Sequence, residues 1–309
     1  MSRSRIDLLR RHQALLLAAQ APGVADDPAD PEKDLAAKLL RNGLAVLTFS
    51  TIESFIRERT NEVLNSIDPT RINFSELPDG VQRAATLGAL KALNFRANLE
   101  DKNTRNQFVV NQASKIASLA NTHYTLSDLS FAQEKSNLSP DDVKGILEGF
   151  RIQSPWEKMK IVASTVGFGG AMSYEEEFRN IAERRHNAAH TMTSQVTQTD
   201  LQNSATSILA IAVGFDLIIS ECLRLLPKRD PTYLRSDGYR FNPNGLRVCE
   251  IRKAGLQWKL YRPGKLDRAY QTNTDLEVLY VNALTYAQQH GYAVVQFGPN
   301  SMPTRWSFS

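Results

Sequence analysis

Apolar positions recur with helical spacing through the first three-quarters of the chain. Leu9 lies three residues after Ile6, and Leu8 with Leu15, like Leu9 with Leu16, repeats two turns on, predicting a helix over residues 1–20. The Pro- and Asp-rich break from Ala21 to Pro31 reads as a linker or exposed loop. The longest helical stretch follows, from about Asp34 to Ile67, with Leu39, Leu40, Leu44, Leu47, Ile52 and Phe55 among its apolar positions; Asp68-Pro69 ends it. A weaker helix is predicted around Val81 to Leu93 and another over Asn106 to Ala120. Residues 121–160 are polar and read as loop, apart from a short helix where Ser139 caps and Pro140 fills the first turn. Two further helices run from Ser173 to His190, opened by a capping box of Ser173 and Glu176, and from about Thr199 to Leu226, stopped by Pro227.

After Gly238 the period changes. Leu246 to Ile251 and Leu256 to Tyr261 alternate as strands do; a helix spans about Thr274 to His290, and strands are predicted over Tyr292–Phe297 and Thr304–Phe308. The fold class is therefore mainly α: a helical bundle followed by a small α+β domain of order ββαββ. The boundaries expected are an N-terminal helix and linker (1–31), a helical domain (32–227), a linker (228–245) and the small domain (246–309).

Composition fits a soluble globular protein, with 42% hydrophobic and 23% charged residues. No apolar run approaches the roughly 18 residues of a membrane span. Ala19-Gln20-Ala21 resembles a signal-peptidase site, but the apolar stretch before it is short and follows Asp7, Arg10, Arg11 and His12, so a cytoplasmic location is expected. The two cysteines, Cys222 and Cys249, lack metal-ligand spacing and read as reduced thiols. From residue 228 on, twelve Lys and Arg face six Asp and Glu, whereas the longer first part is near neutral. A basic tail suits an anionic partner such as nucleic acid, and equally a solvated surface. No cofactor is expected: Gly167, Gly169 and Gly170 lack the Gly-Lys-Ser/Thr ending of a phosphate loop.

The densest chemistry lies in Glu183-Arg184-Arg185-His186-Asn187-Ala188-Ala189-His190. Winding Ser173–His190 at about 100° per residue gathers Phe178, Ile181, Ala182 and Ala189 on one face, with Arg185 inside that stripe. A guanidinium there needs a carboxylate, a phosphate or a polar interface. His186 and His190 lie one turn apart just beyond the stripe. A snorkelling or ion-paired arginine beside two half-exposed histidines fits this spacing. So does a metal held by histidines at i and i+4, although no third ligand is identifiable.

Arg185-His186-Asn187-Ala188-Ala189-His190 fits the R-x4-H signature of the HEPN superfamily. The stretch from Leu39 to Phe55 looks like the first helix of RiboL-PSP-type HEPN proteins, with Ile52-Glu53-Ser54-Phe55 at their LExF-like turn. The resemblance covers roughly residues 33–226. It implies a helical bundle that dimerises, setting two motifs in one cleft, and metal-independent endoribonuclease activity of the kind found in toxins and antiviral defence. It also implies RNA as substrate and an antitoxin or defence-system partner protein. Arg185 and His190 would be the active pair. His186 or Asn187 would supply the auxiliary polar contact, Arg184 would compete for the phosphate, and Glu53 would orient Arg185. A non-catalytic HEPN protein that binds nucleic acid or protein through the same surface is the alternative.

In the small domain, Arg252, Lys253, Lys259, Arg262, Lys265 and Arg268 are interleaved with Trp258, Tyr261 and Tyr270. Basic and aromatic residues together suit nucleic-acid binding. A hairpin whose aromatics pack on the helix while its cations face water has the same sequence.

Overall fold

Two long helices carry the body in the computed structural model, which describes residues 2–25, 29–67, 72–191, 195–235 and 239–308. They are α2 (Pro31–Asn65) and α9 (Gln198–Leu225). Along α9 the residues Ile208, Ile211, Ala212, Phe215, Ile218 and Ile219 are all inaccessible, as expected of a helix that is apolar all round. Against α2 pack α1 (Arg3–Ala19), α8 (Tyr174–His190) and α9 itself. Asp68 and Pro69, expected to stop α2, lie outside the described residues; the helix ends before them, with Ser66 as its C-cap.

The middle of the chain holds more helix than its polarity suggests. The weaker helix is a continuous run of α3 (Asp79–Arg83), a π-turn (Ala84–Gly88) and α4 (Ala89–Ala97). It is followed by α5 (Arg105–Ser118) and α6 (Pro140–Gly149), the latter capped by Ser139 as expected. The loop reading of residues 121–160 needs correction at its end, where α7 (Pro155–Thr165) begins. This helix buries Trp156, Met159, Val162 and Ala163 and crosses α9 at Gly214, where a Cβ would lie 2.7 Å from the Met159 carbonyl oxygen.

The C-terminal region forms one five-stranded sheet. Its strands are β1 (Val248–Ala254), β2 (Gln257–Tyr261), β3 (Gln271–Asn273), β4 (Ala293–Phe297) and β5 (Pro303–Phe308), in the order β3-β2-β1-β4-β5. β1 and β4 run parallel, joined through α11 (Leu276–His290), and the other pairs are antiparallel. Only the three-residue β3 was absent from the expected order; it is too short to show alternation. Successive side chains point to opposite faces, so Cys249, Ile251, Leu260 and Val294 meet Leu279, Tyr280, Ala283 and Ala287 of α11. Val248, Ala293, Val295, Phe297 and Trp306 on the other face join the core of the helical body. The segment between body and sheet is packed too: Tyr233, in α10 (Pro231–Arg235), and Phe241 are buried in that same core. Gly238, where the period changes, lies outside the described residues.

A buried ionic cluster ties these layers together. Asp216, fully inaccessible in α9, accepts from Arg5 of α1, from Arg59 Nε of α2 at 2.5 Å and from Trp306 Nε1 of β5 at 2.6 Å. Burial by itself would raise the Asp216 pKa, but the Arg5 and Arg59 guanidiniums and their hydrogen bonds hold it far below the ordinary carboxylate range. Cys222 and Cys249 are buried and unbridged, and among the described residues no helix is long and apolar enough to cross a membrane.

Candidate functional site

Helix α8 is fastened at both ends. Ser173 Oγ accepts from Glu176 N at 3.2 Å, and three glutamates, Glu175 to Glu177, occupy the first turn, where the helix dipole favours negative charge. The reciprocal half of the expected capping box is replaced: the Glu176 carboxylate pairs with Arg179 at 2.6 Å. In the middle, Phe178 meets Phe49 of α2 edge-on, with ring centroids 5.7 Å apart, and tilts against Trp156 of α7 at 5.8 Å. Toward the C-terminus, Ala188 packs on a small cluster of Ala19, Val24, Ala45, Val196 and Leu201. Phe178, Ile181 and Ala182 therefore lie on the packed face as the spacing predicts, but the stripe stops short of Ala189, which is exposed, and Ala188 packs in its place.

The two adjacent arginines have different surroundings. Arg184 turns toward α9, where Nη2 lies 3.2 Å from Asp200 Oδ1 and Nη1 lies 3.3 Å from Ser204 Oγ. Burial pushes the Asp200 pKa up, but hydrogen bonds from Thr197 and the charge of Arg184 bring it below its ordinary value. Arg185 sits two turns after Phe178 on the stripe. It is half-buried, and its Nε is shielded from solvent without a hydrogen-bond partner. An unmet donor of that kind is costly to keep.

The histidines sit at the exposed end of the helix. His186 and His190 are one turn apart with ring centroids at 4.8 Å and an interplanar angle of 50°. Both are exposed, as is Asn187. Among the described residues no group of three or more His, Cys, Asp or Glu forms a metal-ligand set. Arg185 and His190, five residues apart, fall about 140° apart around the helix axis, on different sides of α8.

Glu53 does not orient Arg185. Its Oε1 accepts from Arg57 Nη2 at 3.0 Å and from the Leu138 amide at 2.9 Å, tying α2 to the loop before α6. The residue expected to support the site is a structural clamp on a neighbouring turn of α2.

The six C-terminal cations are divided by the sheet. Arg252 lies over the Phe297 ring at 4.0 Å and pairs with Glu250 at 2.7 Å, on the face toward the helical body. Lys259 is its cross-strand partner. Lys253 lies over Trp258 on the α11 face, and Trp258 packs against the α11 core. Arg262, Lys265 and Arg268 are exposed in the connection from β2 to β3.

The sequence model of one family, described as RiboL-PSP-HEPN, matches residues 3–221, from the start of α1 to near the end of α9. No curated protein and no solved structure matches the chain.

Proposed function

The chain belongs to the RiboL-PSP-HEPN family, and from that membership together with the geometry of α8 we propose that it is a metal-independent endoribonuclease acting as a homodimer. Membership supports a nuclease or RNA-related function; the particular reaction and the assembly are our reading. The observation that carries it is the difference between Arg184 and Arg185. One guanidinium is paired within the chain, and the other keeps a shielded, unmet donor at the motif position.

RNA cleavage without a metal needs a proton taken from the 2′-hydroxyl, charge stabilised on the phosphate, and a proton given to the departing 5′-oxygen. The 2′-oxygen attacks phosphorus as the bond to the 5′-oxygen breaks, leaving a 2′,3′-cyclic phosphate and a 5′-hydroxyl. Arg185 grips the non-bridging oxygens through its fork of N–H donors. His190 moves the protons, since an imidazole can serve as general base and general acid. His186, 4.8 Å from His190 ring to ring, or Asn187 supplies the auxiliary contact.

A second copy supplies what one helix does not. Within one α8 the Arg185 and His190 side chains leave the axis about 140° apart, so two-fold pairing of motifs brings the guanidinium of one copy toward the imidazole of the other. Leu35, Leu39, Leu40 and Leu47 of α2 are each more than half exposed, an apolar surface suited to burial in such a dimer. A toxin or antiviral-defence role, with its partner protein, and a cytoplasmic setting belong to the same proposal.

The test is incubation of the protein with total RNA in EDTA beside the Arg185→Ala, His190→Ala double variant. Cleavage by the parent alone, with cyclic-phosphate ends, supports the reading. Cleavage that survives in the double variant removes it. An intact, dimeric parent that binds RNA without cutting it points to the non-catalytic alternative.

A further inference from the structure

The C-terminal domain carries a row of aromatic rings at the surface around the end of α11, two of them resting on its core. Tyr286 and His290 stand one turn apart on α11, with ring centroids 4.2 Å apart. Tyr270, just before β3, lies 4.9 Å from Tyr286. Gly291 caps α11 with φ at 69°, a left-handed turn that suits glycine, and the chain then brings Tyr292 to 5.4 Å from His290. The Arg262 guanidinium lies across this row, 3.9 Å from the centre of Tyr270 and 5.4 Å from that of Tyr286.

The row is partly open to water, with Tyr286 and Tyr292 resting on the core between sheet and α11. Tyr270 is 45% exposed, His290 is exposed, and Tyr286 and Tyr292 are half-buried. Arg262 at the rings, and Lys265 and Arg268 in the same connection, form no ion pair among the described residues. The nearby carboxylates of α11 are engaged, Asp275 in capping the helix and Glu277 in pairing with Arg305 at 2.7 Å. Only Asp267 lies among the residues of the 262–270 connection.

We propose that Tyr270, Tyr286, His290 and Tyr292, with Arg262, form a stacking platform for the unpaired bases of a single RNA strand, whose phosphates are met by Lys265 and Arg268. The proposal rests on the RNA-directed reading above and adds where the strand is held. A surface row of stacked rings can be extended by any base, whereas a duplex hides its base faces within the stack. Cations without an ion pair next to surface rings favour a polyanion carrying π-systems over an apolar peptide. The platform also singles out Arg262, Lys265 and Arg268 from the other three cations, which the sheet places on its faces.

The test uses the full chain with His190→Ala, so that bound RNA is not cut, and a fluorescein-labelled, unstructured RNA of about 12 nucleotides. Tyr270→Ala and Tyr286→Ala are each expected to weaken binding about 10-fold, while Tyr286→Phe keeps it and binding of a duplex of the same length is unchanged. Tyr270, being 45% exposed, can be removed without loss of the fold. The proposal is overturned if the parent does not bind the strand, if both alanine variants bind as the parent does, or if the Phe variant is as weak as Ala. Ring-dependent binding by a chain that cuts no RNA leaves the platform standing and removes the nuclease reading. Cleavage with ring-independent binding removes the platform alone.

Discussion

The indole N–H of Trp306 donates to Oδ2 of Asp216 at 2.6 Å, joining the last strand to the middle of α9. The same carboxylate takes Arg5 from α1 and Arg59 from α2, so four elements converge on one buried anion. The small domain is thereby fastened to the body through a charged cluster as well as through apolar packing.

Removing that charge should be severe. Asp216→Asn leaves the buried Arg5 guanidinium without a counter-ion and Arg59 with Glu62 alone, and breaking a buried pair from one side costs about 3–5 kcal/mol. Urea unfolding of the variant is expected to show a loss in that range. Trp306→Phe, which removes one donor while both arginines stay, should cost about 1–3 kcal/mol. An Asp216→Asn protein as stable as the parent would show that the cluster contributes nothing net.

Acid should weaken the protein through the same group. Because the folded Asp216 has a pKa far below the ordinary value, its contribution is complete above the unfolded carboxylate pKa of about 3.9 and is lost as the pH falls from there toward the folded value. Glu62 acts in the same direction: burial raises its pKa, but Ser2, Ser4 and Arg59 bring it below normal. Thermal midpoints measured from neutral pH down to about pH 3 should fall more steeply for the parent than for Asp216→Asn. Parallel curves would contradict this.

Much of this arrangement is legible from residue spacing, and the exceptions have physical causes. The apolar stripe of α8 follows directly from Phe178, Ile181 and Ala182 recurring at helical intervals. Helix α7 was hidden, although Ser154-Pro155-Trp156-Glu157 repeats the serine–proline opening of α6. In the fold Ser154 has φ at 47° and makes no side-chain cap bond, so this opening works only through Pro155. Glu53 shows the limit of a short motif. Its turn was recognisable, but its partners are Arg57 one turn on and an amide 85 residues away, which only the folded chain brings near. Likewise, winding separated Arg185 from Arg184, while the pairing of Arg184 with Asp200 depends on how α8 lies against α9.

The two arginines should respond oppositely to substitution. Arg185→Ala removes a shielded donor that has no partner, so stability should stay within about 0.5 kcal/mol of the parent as the lost stem packing offsets the gain. RNA cleavage should fall about 100-fold or more, the scale of losing one charge-stabilising donor. Arg184→Ala should cost up to about 1 kcal/mol, the worth of a half-exposed ion pair, and leave cleavage within a few-fold. Chemical denaturation and a gel assay on the same preparations check both; the reverse ranking would move the phosphate contact to Arg184.

Glu53 separates a supporting role in the fold from one in the site. Glu53→Gln keeps an acceptor for the Leu138 amide but removes the charge that holds Arg57 at 3.0 Å. Both side chains of that pair are largely buried, so a loss of about 1–3 kcal/mol is expected. Cleavage per folded molecule should be unchanged, because Glu53 makes no contact with Arg185. Activity normalised to the folded fraction is the deciding measurement. A Glu53→Gln protein that folds normally and loses cleavage to the same extent as Arg185→Ala would place the carboxylate back in the site, through a rearrangement of α2 on RNA binding.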